Sequence, residues 1–183
     1  MKIYTLIGGV NGVGKSSLSG VLSGESSDLG IIIDTDKITA ELGGDKLAGG
    51  KLAIKKVNEC LDKGISFTQE TTLSGKRVLK TVKRAIADDY YIRLYYVGVG
   101  SVEESIARIR NRVRKGGHDI PNEDVIRRHR KRFENLAAIL PYCNEVRFYD
   151  NENGFIEIAE YKNGKLVTKG EAIWLEELKG SIL

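Results

Sequence analysis

Gly9-Val10-Asn11-Gly12-Val13-Gly14-Lys15-Ser16 is the stretch from which the rest of the chain is read. It fits the pattern G-x-x-x-x-G-K-[ST], a loop whose glycines let the backbone fold around a phosphate with its N–H groups pointing inward. The apolar run Ile3–Ile7 comes before it and a helical pattern, Ser16–Ser23, comes after, so the loop joins a strand to a helix, the setting in which the motif works. There the helix N-terminus adds positive potential, Lys15 reaches the β and γ oxygens of a nucleoside triphosphate, and Ser16 takes Mg2+. The candidate nucleotide contacts are Gly9, Asn11, Gly12, Val13, Gly14, Lys15, Ser16 and Ser17, together with Arg108 further along the chain.

Working outward, short runs rich in Ile, Val, Tyr and Phe recur at Ile31–Ile33, Ile65–Phe67, Ile92–Val97 and Val146–Tyr149. With Ile3–Ile7 they predict five buried strands. Apolar residues at three- and four-residue spacing predict helices over Lys51–Asp62, Lys76–Ala87, Val102–Arg114 and Arg127–Leu140, and Ser101 with Glu104 forms a capping box for the third of these. Strands alternating with helices specify an α/β fold around a five-stranded parallel sheet with flanking helices. Asn163-Gly164 between Phe155–Tyr161 and Lys165–Thr168 predicts a small C-terminal β-hairpin, followed by a last helix over Ala172–Lys179 anchored by Trp174.

Length and composition set the bounds. A chain of 183 residues is a single domain, residues 1–183, with 41% hydrophobic and 30% charged residues and only two prolines, which excludes disordered and collagen-like classes. No apolar run approaches the roughly 18 residues of a membrane span, because Arg93 interrupts Tyr90–Val99. Met1-Lys2 and Ile3–Val10 imitate a short signal peptide but run into the glycine loop without a small-residue cleavage site, so they read as the first strand. Two cysteines, Cys60 and Cys143, make no disulfide framework, which fits a reducing cytoplasm, and no partner membrane is expected. Net charge is +4, yet Arg108–Arg132 alone carries ten Lys/Arg against Asp119, Glu123 and Asp124, or +7, leaving −3 for everything else.

Further chemistry gathers where the strands end, the edge at which open α/β sheets bind ligands. Asp34-Thr35-Asp36 closes the second strand; if the strand continues, alternation points both carboxylates the same way, one to accept a proton from an attacking hydroxyl and the other to orient it or a magnesium-bound water. The competing reading has one of them cap a helix starting at Lys37. Gln69-Glu70-Thr71-Thr72-Leu73-Ser74-Gly75 closes the third strand; Glu70 and Thr71, set apart from the phosphate loop, suit an acceptor's hydroxyls, unless Glu70 is a solvated loop charge. In the basic window Val102, Ile106, Ile109 and Val113 form an apolar stripe, with Arg108 and Arg112 on one flank and Arg110 and Arg114 on the other. Gly116-Gly117 breaks the helix, which makes residues 108–132 a cationic helical lid over phosphates. His118 reads as a side chain positioning that lid, His129 as surface.

These residues together resemble the zeta toxin family of P-loop kinases, in its short branch labelled predicted ABC-type ATPases. The resemblance runs through the phosphate loop, Ile33–Asp36, Phe67–Gly75, Arg112–Pro121, Arg127-Arg128 and Phe148-Tyr149-Asp150-Asn151. It implies a P-loop kinase fold of the adenylate-kinase type, with ATP and Mg2+ on Lys15 and Ser16, and Asp36 as base towards a hydroxyl. It further implies Glu70 on the acceptor, Arg112 with Arg127 or Arg128 at the transferred phosphate, and an antitoxin protein as partner. Family toxins phosphorylate UDP-N-acetylglucosamine. The expected function is transfer of the γ-phosphate of ATP to a small-molecule hydroxyl. The alternatives are a nucleic-acid kinase or binder using the basic window, and an ATPase that is not a kinase. A GTPase switch lacks its N-K-x-D base-reading motif, and nucleic acid is the less favoured partner.

Overall fold

The phosphate loop follows the middle one of five parallel strands in a seven-stranded sheet. A computed structural model describes residues 1–25 and 28–182. The strands are β1 (Lys2–Gly8), β2 (Ile31–Ile33), β3 (Phe67–Thr71), β4 (Tyr90–Gly98), β5 (Glu145–Asp150), β6 (Ile156–Lys162) and β7 (Lys165–Thr168). They lie in the order β2-β3-β1-β4-β5-β6-β7. The first five are parallel, as the alternation of strands and helices predicts, and β6 and β7 continue the sheet antiparallel from β5. The C-terminal hairpin is thus an extension of the sheet, with Val146 of β5 opposite Tyr161.

The helices are α1 (Lys15–Glu25), α2 (Thr35–Glu41), α3 (Lys46–Lys63), α4 (Lys76–Ala87), α5 (Val102–Arg114), α6 (Asn122–Arg130), α7 (Arg132–Ala137) and α8 (Leu175–Ile182). Three expectations need correction. The third strand lies at Phe67–Thr71 and not at 65–67, because its polar residues are satisfied one by one inside the sheet. Thr68 donates to the Leu29 carbonyl (2.7 Å) and Gln69 accepts from the Tyr4 hydroxyl (2.5 Å), so hydrophobicity alone does not mark the strand. Asp34 and Asp36 do not share a strand face: β2 stops at Ile33, Asp34 is the N-cap of α2 with its side chain accepting from the N–H groups of Asp36 and Lys37, and Asp36 lies in the first helical turn. The expected single helix 127–140 is broken, since α6 begins at Asn122 after Pro121 and ends before Lys131, and a 3₁₀ turn, Leu140–Tyr142, follows α7.

One apolar core holds Tyr4, Leu6, Phe67, Ile92, Leu94, Phe148 and Trp174, all buried, and receives α3, α4, α7 and α8. A second cluster, Ile7, Val10, Val13, Leu18, Tyr95, Val97 and Val99, underlies the phosphate loop, and a third, Ile109, Ile120 and Val125, joins α5 to α6. Arg93, the polar break in the most hydrophobic strand, is nearly buried at the sheet and paired with Asp28 (2.9 Å) and Glu145 (3.2 Å). No helix among the described residues is long and apolar enough to cross a membrane.

Phe67 stacks on Tyr4 with ring centroids 4.4 Å apart and meets Tyr90 edge-on at 6.0 Å. Replacing it, Phe67→Ala, removes a fully buried ring from the strand that carries Glu70 and is expected to lower the unfolding free energy by about 3–5 kcal/mol. Urea denaturation of the two proteins measures the difference.

Candidate active site

β1 ends at Gly8 and the chain turns through residues 9–14 into α1, over a floor of buried Val10 and Val13. The turn is held on two sides. Gly12 has φ +83°, and a Cβ there would lie 2.4 Å from the Ser105 carbonyl of α5; Gly14 has φ +98°, and a Cβ there would lie 2.5 Å from Asn151 Nδ2. Both positions demand glycine by backbone angle and by space. Asn151, in the β5–β6 turn, donates to the Val13 carbonyl at 2.8 Å.

Lys15 opens α1 and its ammonium donates to the Val10 carbonyl at 2.9 Å. Removal from water pushes its pKa down to about 8, and Arg112 acts in the same direction; Glu70, Asp36 and Asp34 pull it back up. The Ser16 hydroxyl lies 2.7 Å from Glu70 Oε2 and 3.2 Å from Asp34 Oδ2. The other oxygen of Glu70 accepts from the Ser19 hydroxyl at 2.6 Å. Glu70 is nearly buried, and burial raises its pKa above the usual carboxylate range, with the Asp34 charge adding and the Ser19 and Ser16 hydrogen bonds and Lys15 opposing.

Register explains this convergence. Ile7 of β1 lies opposite Glu70 of β3 and Gly8 opposite Thr71, so the end of β3 is level with the start of the phosphate loop. Glu70 therefore touches the loop's own serine and is not set apart from it as expected.

A cavity of about 420 Å³ opens above these groups. Its floor is Asn11, Gly12, Gly14, Lys15, Ser16 and Ser17; one wall is Asp34, Thr35, Asp36, Gln69, Glu70, Thr71 and Thr72; the other is Arg108, Ile109, Arg112 and Arg128. Ser16, Asp34 and Glu70 also border a second cleft of about 410 Å³ that runs between α1 and α2 past Lys37 and Lys56.

The arginines are sorted by helix face. Arg108 pairs with Glu104 at 2.6 Å and donates to the Asn151 carbonyl at 2.7 Å; Arg112 donates to the His118 carbonyl at 2.8 Å; Arg128 donates to Asn11 Oδ1 at 2.6 Å. The Nε atoms of Arg112 and Arg128 are buried without a hydrogen-bond partner among the described residues. Arg127 is exposed, pairs with Asp124 of its own helix at 2.5 Å and does not line the cavity, which corrects its expected place at the phosphate. Helical rotation of about 100° per residue carries it away from the face that Arg128 presents. Arg110 and Arg114 are exposed, as their flank of the stripe predicts.

Gly9 and Val13 also stay out of the cavity lining: Gly9 lies against the Val97 carbonyl and Val13 is fully buried beneath the loop. His118 serves by its carbonyl. His129 is half-buried, with Nδ1 2.7 Å from Arg132 and Nε2 buried without a partner, and burial beside that guanidinium lowers its pKa. Thr35, Gln69 and Thr72 line the cavity although no motif position pointed to them; their shared signal is position at a strand end.

No protein-family model matches the chain. An uncharacterized protein of Haemophilus influenzae (strain ATCC 51907 / DSM 11121 / KW20 / Rd) is 36% identical over 124 residues, covering 65% of this chain and 86% of that protein. The chain belongs to the family of that protein. Among solved structures, a chain of the PezAT chromosomal toxin-antitoxin system of Streptococcus pneumoniae superposes with a TM-score of 0.69 at 19% identity, over 97% of this chain and 78% of its own. An AvrRxo1-ORF1:-ORF2 structure with ATP superposes with a TM-score of 0.70 at 14% identity, over 100% of this chain and 63% of its own. These likenesses show a zeta-toxin-like P-loop kinase fold.

The arginine geometry makes a direct prediction about ATP affinity. Arg112→Ala and Arg128→Ala each remove a guanidinium from the cavity and should weaken ATP binding by about ten-fold or more, the size of a charge-assisted hydrogen bond. Arg127→Ala should leave it unchanged. Isothermal titration calorimetry with ATP and Mg2+ distinguishes the two outcomes.

Proposed function

We propose that this chain is an ATP-dependent phosphotransferase that moves the γ-phosphate to a hydroxyl of a small molecule. The observation that carries the reading is the meeting in one cavity of Lys15 and Ser16 with the carboxylates Asp34, Asp36 and Glu70 on one side and Arg108, Arg112 and Arg128 on the other. That is the division a phosphoryl transfer needs: cations where charge accumulates, and a carboxylate for the attacking hydroxyl's proton.

The donor set fits magnesium. Among the described residues no three His, Cys, Asp or Glu side chains gather as a metal cluster. Mg2+ bound with a nucleotide asks for only one or two hard oxygen ligands from protein, the rest coming from phosphate and water. Ser16, flanked by Glu70 and Asp34, would hold it, and the bound ion would neutralise charge on the β and γ oxygens. Lys15 binds the same oxygens, which replace the Val10 carbonyl as its partner. Arg112 and Arg128 line the cavity, and their guanidinium groups would meet the transferred phosphate. Asp36, at the first turn of α2, takes the hydroxyl proton, while Asp34 is engaged as helix cap and in orienting Ser16. Thr71 and Thr72 contribute hydroxyls on the acceptor side.

The acceptor we favour is a nucleotide sugar such as UDP-N-acetylglucosamine, on the strength of the zeta toxin resemblance, and an antitoxin-type protein is the partner that resemblance brings with it. Of the ten basic residues in the window 108–132 only Arg108, Arg112 and Arg128 line the cavity, which favours one triphosphate over a nucleic-acid backbone. The free cysteines Cys60 and Cys143 fit a cytoplasmic setting.

Lys15→Ala should abolish transfer and weaken ATP binding while the thermal melt stays close to that of the unaltered protein. Asp36→Asn should spare ATP affinity and lower turnover by about a hundred-fold or more. A phosphotransfer screen with γ-labelled ATP against nucleotide sugars, nucleosides and oligonucleotides supplies the assay. Undiminished turnover in Lys15→Ala, or label passing to oligonucleotides alone, would overturn the reading.

A further inference from the structure

Two lines of contact run from the C-terminal segment, residues 156–182, to opposite shoulders of the phosphate loop. The first starts at Trp174, just before α8 and almost fully buried, whose Nε1 donates to Asp150 Oδ1 at 2.8 Å. Asp150 ends β5, and the next residue, Asn151, donates to the Val13 carbonyl at 2.8 Å while lying over Gly14. The second starts at Glu177 on α8, which accepts a hydrogen bond from Arg132 Nη2. The same guanidinium is buried, lies over the Phe133 ring at 4.3 Å from its centroid, and donates through Nη1 to the His129 carbonyl at 2.7 Å. It thereby clasps the last turn of α6 at the break before α7, and in that turn Arg128 donates to Asn11 at 2.6 Å.

Trp174, Glu177 and Arg132 take no part in lining the cavity. Their contacts nonetheless end on Val13 and Asn11, on either side of Gly12. A loop with left-handed glycines is costly to order, and each degree of freedom removed beforehand is one that a ligand need not remove on binding. Arg132 has a further constraint: buried, it needs the Glu177 carboxylate, and without it the guanidinium must either remain uncompensated or leave for water and release its hold on α6.

We propose that the C-terminal segment pre-orders the phosphate loop, with Trp174 and Glu177 as positioning residues that act through Asp150–Asn151 and through Arg132–Arg128. The consequence for nucleotide affinity rests on the phosphotransferase reading; the ordering of the loop does not, and is measured without nucleotide.

Hydrogen exchange of the full chain, followed by mass spectrometry, tests the inference with Trp174→Phe, which keeps a packed ring and loses the N–H, and Glu177→Gln, which keeps shape and loses charge. In each, a peptide spanning residues 9–16 should exchange about five-fold faster, the effect of roughly one lost hydrogen bond. A peptide from β4 should keep its original rate. The dissociation constant of the non-hydrolysable analogue AMP-PNP should rise by a similar factor, and Glu177→Asp should restore part of both effects. Unchanged exchange of the loop in both variants overturns the inference, and so does faster exchange spread equally over loop and β4, which would make the segment a source of global stability alone. A loosened loop in a protein whose unaltered form fails to bind AMP-PNP sustains the inference and overturns the phosphotransferase reading.

Discussion

The placement of one buried carboxylate governs the site. Glu70 sits near the end of β3, between β2 and β1, with both oxygens occupied by serine hydroxyls from the first two turns of α1. Burial works against its ionised form, and the two hydrogen bonds with the Lys15 charge work for it, so its cost is offset only if strand, loop and helix keep this alignment. A slip of one residue in the β1–β3 register would turn Glu70 to the other face of the sheet, away from Ser16 and Ser19. The apolar residues around it, Ile7 on one strand and Phe67 further down the other, pin that register.

The loop itself is confined from above as tightly as from below. Its glycines are approached by α5 and by the β5–β6 turn at distances that admit no side chain, so the two elements that frame the cavity also shape the loop. This couples parts of the chain that sequence separates by 90 residues or more, as in the contacts of Gly12 with Ser105 and of Val13 with Asn151. Access to phosphate and rigidity of backbone are therefore set by the same contacts, and pre-organised N–H groups lose less on meeting an anion than groups that must be ordered by it.

Much of this is legible before any fold is drawn, for reasons that differ from residue to residue. The phosphate loop announces itself because its geometry requires glycine at fixed offsets, and the flank of Arg108 and Arg112 follows from helical period alone. The strand carrying Glu70 is misplaced by two residues because its polar members find partners inside the sheet, which hydrophobic patterning does not register. The turn at Asp34 is a case where two readings are both physically open, and the structure follows the capping one: one oxygen of Asp34 caps α2, and the other faces Ser16. Arg127 and Arg128 are neighbours in sequence, and only the position of the apolar Val125 against Ile109 and Ile120 decides which of them looks inward.

The charge pattern acquires its meaning from that decision. Taken as a sum, the window from Arg108 to Arg132 is a block of +7 that suits any polyanion. Folded, it separates into groups with different work: Arg108, Arg112 and Arg128 at the cavity, Arg132 buried against Glu177, Arg127 paired with Asp124 on the surface, and exposed residues such as Arg110 and Arg114. A backbone of many phosphates would be met by charges spread along one face, each contributing alike. Here the inward cations line one wall of the cavity floored by Lys15 and Ser16, opposite carboxylates that would repel a polyanion laid across the same cavity. One sign of charge on one wall, with the other sign held across from it, fits the single phosphoryl transfer proposed above better than the binding of a chain of phosphates.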